Sequence, residues 1–189
     1  LLKIIIMLNS KTAVITGCNR GIGKSTVEIF SKNKSDIIAC VRKKNQEFSD
    51  FCNQLENKYS NKITIYEFDF KNNDDVSSAA KDIIKNHDQI DILINNAGII
   101  HTSLFQMTKI SSFEEIFKVN FFNQILFTQI LIKNMVKKKY GNIVFLSSSS
   151  AYESNIGRGA YSSTKSSIIT ITKNLSIELA RYNIRVNCI

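Results

Sequence analysis

TAVITGCNRGIG, residues Thr12 to Gly23, decides how this chain folds. The β-branched run Thr12–Thr16 reads as a short strand, apolar enough to be buried on both faces. Glycines at 17, 21 and 23 follow at once. They permit positive φ and let a ligand come close to the backbone. In IGKSTVEIFSKN the apolar residues Ile22, Val27, Ile29 and Phe30 then mark a helix. A strand that runs through a glycine turn into a helix offers free N–H groups and the positive end of a helix dipole, which suit a pyrophosphate. The spacing is G-x-x-x-G-x-G, not the common dinucleotide pattern G-x-G-x-x-G, so the strand–turn–helix context carries the reading. Gly17, Asn19, Arg20, Gly21, Ile22 and Gly23 are the candidate phosphate cradle; a tight turn that holds no ligand is the competing reading.

Working outward, strands and helices alternate. Asp36–Val41 (DIIACV), Lys62–Phe68 (KITIYEF), Asp91–Asn95 (DILIN), Gly141–Ser147 (GNIVFLS) and the final IRVNCI read as further strands. QEFSDFCNQLENKY and SSAAKDIIKNH read as helices, the second capped from NNDDV. SSFEEIFKVNFFNQILFTQILIKNMVKKK reads as one long helical region, with Ser111 and Glu114 at capping-box spacing and lysines at its end. AYSSTKSSIITITKNLSIELARY is the last helix. Strands joined by helices predict an α/β fold, a Rossmann-like doubly wound parallel sheet with helices on both faces. We expect an extension over residues 1–10, in which Met7 is a candidate start, and one nucleotide-binding domain over 11–189. The chain stops within a strand, so a final strand and a substrate loop are expected beyond Ile189.

The bulk properties remove other classes. A formal charge of +9 invites a nucleic-acid hypothesis. Yet the densest cationic runs, Arg42–Lys44 and Lys137–Lys139, are short and carry no interleaved aromatics, so no nucleic-acid partner is expected. The opening LLKIIIML is too short to span a bilayer and lacks a small-residue cleavage site, so neither membrane nor secretory signal is expected. Cys18, Cys40, Cys52 and Cys188 form no C-x-x-C pair and no ligand spacing with His87 or His101. They read as free thiols in the reducing cytoplasm, with no metal. The Ile- and Phe-rich long helix is apolar on more than one face, which suits a core or the interface of a homodimer or homotetramer.

Two local patterns speak to chemistry. An acid at the end of the second strand would bind the adenosine ribose, whereas an arginine accommodates a 2′-phosphate. Val41 stands where that acid would be, Arg42 follows, and Arg20 lies in the glycine turn, which favours NADP over NAD. In AYSSTK, Tyr161 and Lys165 are four apart and share one helix face. A cation beside a phenol favours the phenolate and prepares it for proton transfer. An ordinary helix with a solvated lysine would show the same letters.

TGCNRGIG, NNAG (Asn95–Gly98), the Asn120 of KVN, the serine run before AYSSTK, and IRVN come in an order that resembles the short-chain dehydrogenases/reductases. The resemblance runs from about Lys11 onward and implies roles residue by residue. Tyr161 matches the general acid/base, and Lys165 the cation that assists it and binds the nicotinamide ribose. Asn120 matches the asparagine that holds a relay water, and Ser148 the hydroxyl that donates to the substrate oxygen. Ser147 and Ser149 remain alternatives to Ser148. Asn95 matches a residue that stabilises the central strand, and Ala97 and Gly98 ones that admit the adenosine ribose. Asp69 matches an adenine contact, with a cap of the next helix as its alternative. The resemblance implies an NADPH-dependent oxidoreductase acting on a carbonyl or alcohol. The compact spacing and MVKKKYGNIV are most similar to 3-oxoacyl-acyl-carrier-protein reductases, whose acidic carrier would suit the basic chain. A non-catalytic dinucleotide-binding sensor or scaffold is the alternative.

Overall fold

The computed structural model describes residues 8–153 and 155–189. Residues 1–7, which hold most of the expected extension and the candidate start at Met7, lie outside the described residues. Strand β1 (Thr12–Thr16) leads into α1 (Gly21–Lys32), β2 (Asp36–Val41) into α2 (Gln46–Tyr59), and β3 (Ile63–Glu67) into α3 (Asn73–Asn86). Then come β4 (Ile92–Asn95), α4 (Ile110–Phe117), α5 (Asn123–Lys138), β5 (Gly141–Phe145), α6 (Gly159–Ala180) and β6 (Ile184–Cys188). The six strands pair in parallel in the order β3-β2-β1-β4-β5-β6.

Burial explains why these strands are continuously apolar. Successive side chains point to opposite faces, and here both faces are covered. Val14 and Leu93 pack with Phe127, Leu131 and Ile168 on one side. Ala13, Ile15 and Ile94 pack with Val27, Phe48 and Cys52 on the other. Strand order reverses between β1 and β4, where the chain turns from one half of the sheet to the other. Connections leaving such neighbours in opposite directions open a crevice at the carboxyl ends of the strands.

The α3 cap forms as its sequence predicts: the Asn72 side chain accepts from the backbone N–H of Asp74 at 2.9 Å. The Ser111–Glu114 box does not. Helix α4 starts at Ile110 behind Lys109, with no side-chain cap. The expected single long helix is also interrupted, because Lys118–Phe122 form a π-turn between α4 and α5. Such widened turns occur often at functional sites, since one extra residue per turn re-aims the side chains that follow. This one buries Asn120, Asn123 and Gln124 against the sheet's carboxyl edge. The Asn123 amide donates to the Phe70 carbonyl at 2.7 Å, and the Gln124 amide donates to the Ala97 carbonyl. Those two polar contacts are what an uninterrupted apolar helix would not make.

Candidate functional site

A cavity of about 540 Å³ opens at the β1/β4 switch point. The glycine turn forms one wall through Gly17, Asn19, Arg20, Gly21 and Ile22. Arg42 at the end of β2, Asp69 after β3, and Ala97 and Gly98 after β4 complete it. Arg20 and Arg42 are exposed at its rim.

Glycine is required at two points of the turn. Gly17 has φ +73°, and a Cβ there would lie 2.9 Å from Asn96 Nδ2 and 3.0 Å from Ala97 Cα. Gly23 is buried beneath the turn, where a Cβ would overlap the Gly17 carbonyl oxygen and stand 2.7 Å from Asn96 Nδ2. Asn96 itself laces the turn to β4, its amide donating to the carbonyls of Thr16 at 2.8 Å and Gly17 at 3.2 Å. The Thr16 hydroxyl accepts from the N–H groups of Asn96 and Ala97 at 3.0 and 2.9 Å. Sequence reading missed Thr16, Asn96 and Gln124. The signal for Asn96 was present: two adjacent asparagines at a strand end must face opposite ways. Asn95 faces away from the cavity, fully buried, and donates to Thr128 Oγ1 at 2.9 Å, tying β4 to α5. Asp69 accepts from the Lys71 N–H at 2.9 Å, and the cap of α3 falls to Asn72 instead.

Beside the cavity the loop after β4, the π-turn and α6 meet. Asn120 is fully buried and grips Ile99 from both sides. Its Oδ1 accepts from the Ile99 N–H at 2.8 Å, and its Nδ2 donates to the Ile99 carbonyl at 2.9 Å and to Thr164 Oγ1 at 3.3 Å. A Cβ on Gly98 would meet Asn120 Oδ1 at 3.3 Å and Lys165 Nζ at 3.9 Å, so this backbone passes directly over both. Lys165 is 4% exposed, donates to the Leu146 carbonyl at 2.6 Å, and holds its Nζ 5.7 Å from the centre of the Tyr161 ring. The helix therefore brings Tyr161 and Lys165 to one face, as their spacing predicts. Burial lowers the Lys165 pKa to about 8, because desolvation penalises the ammonium.

Of the serines, Ser147 donates its hydroxyl to the Lys165 carbonyl at 3.0 Å. The Ser148 oxygen accepts from the Ser150 N–H at 3.1 Å, at the start of the 3₁₀ turn Ser149–Ala151. That turn is held on α6 by the Ser166 hydroxyl, which donates to the Ala151 carbonyl at 3.2 Å. Of the cysteines, only Cys40 lines the cavity, and burial pushes its thiol well up. Burial also raises Cys18, so both are inert thiols at neutral pH.

The sheet, the glycine turn and the cavity above it define a dinucleotide-binding α/β protein. Residues 11–189 match a profile described as short chain dehydrogenase. The chain belongs to the short-chain dehydrogenase family of NAD(P)-dependent oxidoreductases. It is 34% identical over 184 residues to the 3-oxoacyl-(acyl-carrier-protein) reductase FabG of Aquifex aeolicus, covering 97% of this chain and 74% of that protein. It is 35% identical over 181 residues to FabG of Buchnera aphidicola subsp. Baizongia pistaciae, covering 95% of this chain and 71% of the relative. A short-chain dehydrogenase structure from Streptomyces avermitilis superposes with a TM-score of 0.84 at 24% identity, and the chain spans 94% of itself and 64% of that protein. A structure from Beutenbergia cavernae with NADP bound at low occupancy superposes with a TM-score of 0.90 at 21% identity, covering 97% of this chain and 72% of that one. Among the described residues no helix is long and apolar enough to cross a membrane.

Proposed function

We propose that residues 11–189 form one nucleotide-binding domain that reduces a carbonyl with NADPH. A 3-oxoacyl group on a carrier is the specific candidate that the FabG relatives supply. One observation carries the reading: Lys165 Nζ lies 5.7 Å from the Tyr161 ring, directly under the Gly98 backbone that walls the cavity.

The cavity fits a dinucleotide. Gly17 and Gly23 leave no room for side chains because the turn packs tightly against Asn96, Ala97 and its own backbone, which fixes the N–H groups that would meet a phosphate. Asn19, Gly21 and Ile22 continue that cradle, Asp69 and Ala97 face the adenosine half, and Arg20 and Arg42 supply cations for a 2′-phosphate. When bound, such a cofactor supplies the hydride. The chain manages one proton and one developing charge. The Tyr161 hydroxyl gives its proton to the substrate oxygen, the Ser148 hydroxyl donates to the same oxygen, and the Lys165 ammonium stabilises the phenolate left behind. Asn120 holds the Ile99 backbone in place beside this group and is the candidate anchor for a relay water. The exposed Phe105, Met107, Ile110 and Phe122 support a face for a second copy, in a homodimer or homotetramer. Free cysteines fit a reducing cytoplasm.

The direct test follows NADPH absorbance with acetoacetyl thioesters and simple ketones. Turnover supports the reductase. Tight NADPH binding without turnover on any carbonyl favours the sensor or scaffold reading.

Two expectations follow here. Arg42→Ala removes a charge-assisted contact worth about 1.5–3 kcal/mol, so NADPH affinity falls roughly 10- to 100-fold. NADH, which lacks the 2′-phosphate, changes little, and equal losses for both cofactors in titration would remove Arg42 from this role. Second, Lys165 loses its charge near pH 8 in the free enzyme. Reduction needs that cation, so kcat/KM falls as pH rises through about 8. For stability the sign is opposite. From about pH 8 to the ordinary lysine value of 10.5 the unfolded chain binds the extra proton, so this group's penalty on folding is present at neutral pH and relieved as pH rises.

A further inference from the structure

Tyr161 has a second cation beside it. Arg158, the residue just before α6, precedes it by three positions, and Lys165 follows it by four, so a cation stands near the ring from either side of it in the chain. The Arg158 guanidinium carbon lies 6.0 Å from the centre of the Tyr161 ring, against 5.7 Å for Lys165 Nζ. The two cations differ in what satisfies them. Lys165 is buried and donates to the Leu146 carbonyl. Arg158 is only partly buried, at the start of α6, on a segment tied to the β4–α4 loop by the Ser103 N–H donating to the Gly157 carbonyl at 2.9 Å. Among the described residues the ion pairs are Lys11–Asp91, Lys24–Glu47, Lys71–Glu115 and Lys138–Asp88, and none involves Arg158. Glu153, the acid of its own loop, is exposed and not paired with it. A guanidinium beside an aromatic ring with no carboxylate paired to it among the described residues keeps its donor fork free for an incoming anion.

We infer that Arg158 selects carbonyl compounds that carry a carboxylate a few bonds from the reacting carbonyl. This rests on the reductase reading, in which the substrate oxygen meets the Tyr161 hydroxyl, but in place of the carrier-bound thioester it puts a small free oxo acid as the substrate. The oxygen at the tip of the ring and a guanidinium carbon 6.0 Å from the centre of the same ring lie within the span of one small molecule. The bidentate fork of arginine matches a carboxylate. A carrier-bound thioester has no charge there, because the phosphate of its carrier arm lies a long flexible chain away.

The test uses the full chain with NADPH and three probes: acetoacetate, its neutral methyl ester, and acetoacetyl-CoA. The wild type is expected to prefer acetoacetate over the ester by about tenfold or more in kcat/KM, the size of one charge-assisted contact. Arg158→Gln should bring that ratio close to one through KM, and Arg158→Lys should restore part of it. Lys173→Gln, an exposed cation further along α6, should leave the ratio as it was. Wild-type preference for the ester or for acetoacetyl-CoA overturns the inference even if Arg158→Gln fails to fold. So does a fall in kcat for all three probes with an unchanged ratio, which would mean that Arg158 acts on Tyr161 alone. Calorimetry of acetoacetate on the NADP⁺-saturated protein separates the two readings. Binding that Arg158→Gln weakens tenfold, without turnover by the wild type, sinks the reductase and keeps the anion site. Absence of binding sinks the anion site.

Discussion

Tyr161→Phe is expected to lower kcat for carbonyl reduction by about 10²- to 10⁴-fold, the range that a positioned proton donor contributes. The change deletes one oxygen and keeps the ring, so packing against Arg158 and Lys165 survives. Among the described residues the hydroxyl donates no hydrogen bond that its loss would orphan, unlike the backbone carbonyl of Tyr161, which accepts from Thr164 Oγ1 at 2.7 Å. Stability and NADPH affinity should therefore stay near wild type while turnover collapses. That split is diagnostic. Parallel loss of melting temperature and activity would mean that the tyrosine is structural, and full activity in the variant would remove it from the chemistry. Stopped-flow mixing of NADPH-bound enzyme with substrate reads the chemical step directly.

Gly23→Ala should have the largest effect on cofactor binding. The added methyl would overlap the Gly17 carbonyl oxygen and lie 2.7 Å from Asn96 Nδ2. Neither neighbour is a flexible side-chain end that can swing away. One is backbone, and the other is fixed by hydrogen bonds to Thr16 and Gly17. The turn has to move, and displacement by an ångström or so costs on the order of 100-fold where geometry carries the interaction. Overpacking should also lower stability by about 1–3 kcal/mol. Gly21→Ala provides the contrast. Nothing lies within 4 Å of its Cβ position, and its φ of +55° leaves only the left-handed backbone cost of roughly 1–2 kcal/mol. Fluorescence titration with NADPH should rank Gly23→Ala well below Gly21→Ala. The reverse ranking, or an unchanged Gly23→Ala affinity, would mean that phosphate is not held at this turn.

Much of this protein was legible along the chain because its elements are local. The strands of the glycine-turn half lie where their β-branched runs stand, and Asn72 caps α3 as the NNDDV stretch implied. The four-residue step from Tyr161 to Lys165 places both on one face in any helix. Where two local signals competed, sequence reading erred. Ser111 and Glu114 have the spacing of a capping box, but α4 begins at Ile110 before Ser111 can act as its cap. The Ile- and Phe-rich stretch has no proline or glycine to announce a break, so its π-turn is invisible as a pattern. It forms around contacts made by Asn120 to Ile99 and Asn123 to Phe70, which lie 21 and 53 residues away in the chain.

By itself, then, the order of residues determined the alternation of strand and helix, the parallel sheet, the glycine turn and the shared face of phenol and ammonium. Each depends on spacing within a few residues or on the burial of whole strands. Only the tertiary structure decided that Asn96 rather than Asn95 faces the turn, that Arg158 stands beside Tyr161 with no ion-pair partner among the described residues, and that Lys165 is buried enough to lose its proton near pH 8. Those properties come from partners and solvent exclusion supplied by distant segments, which no local window contains.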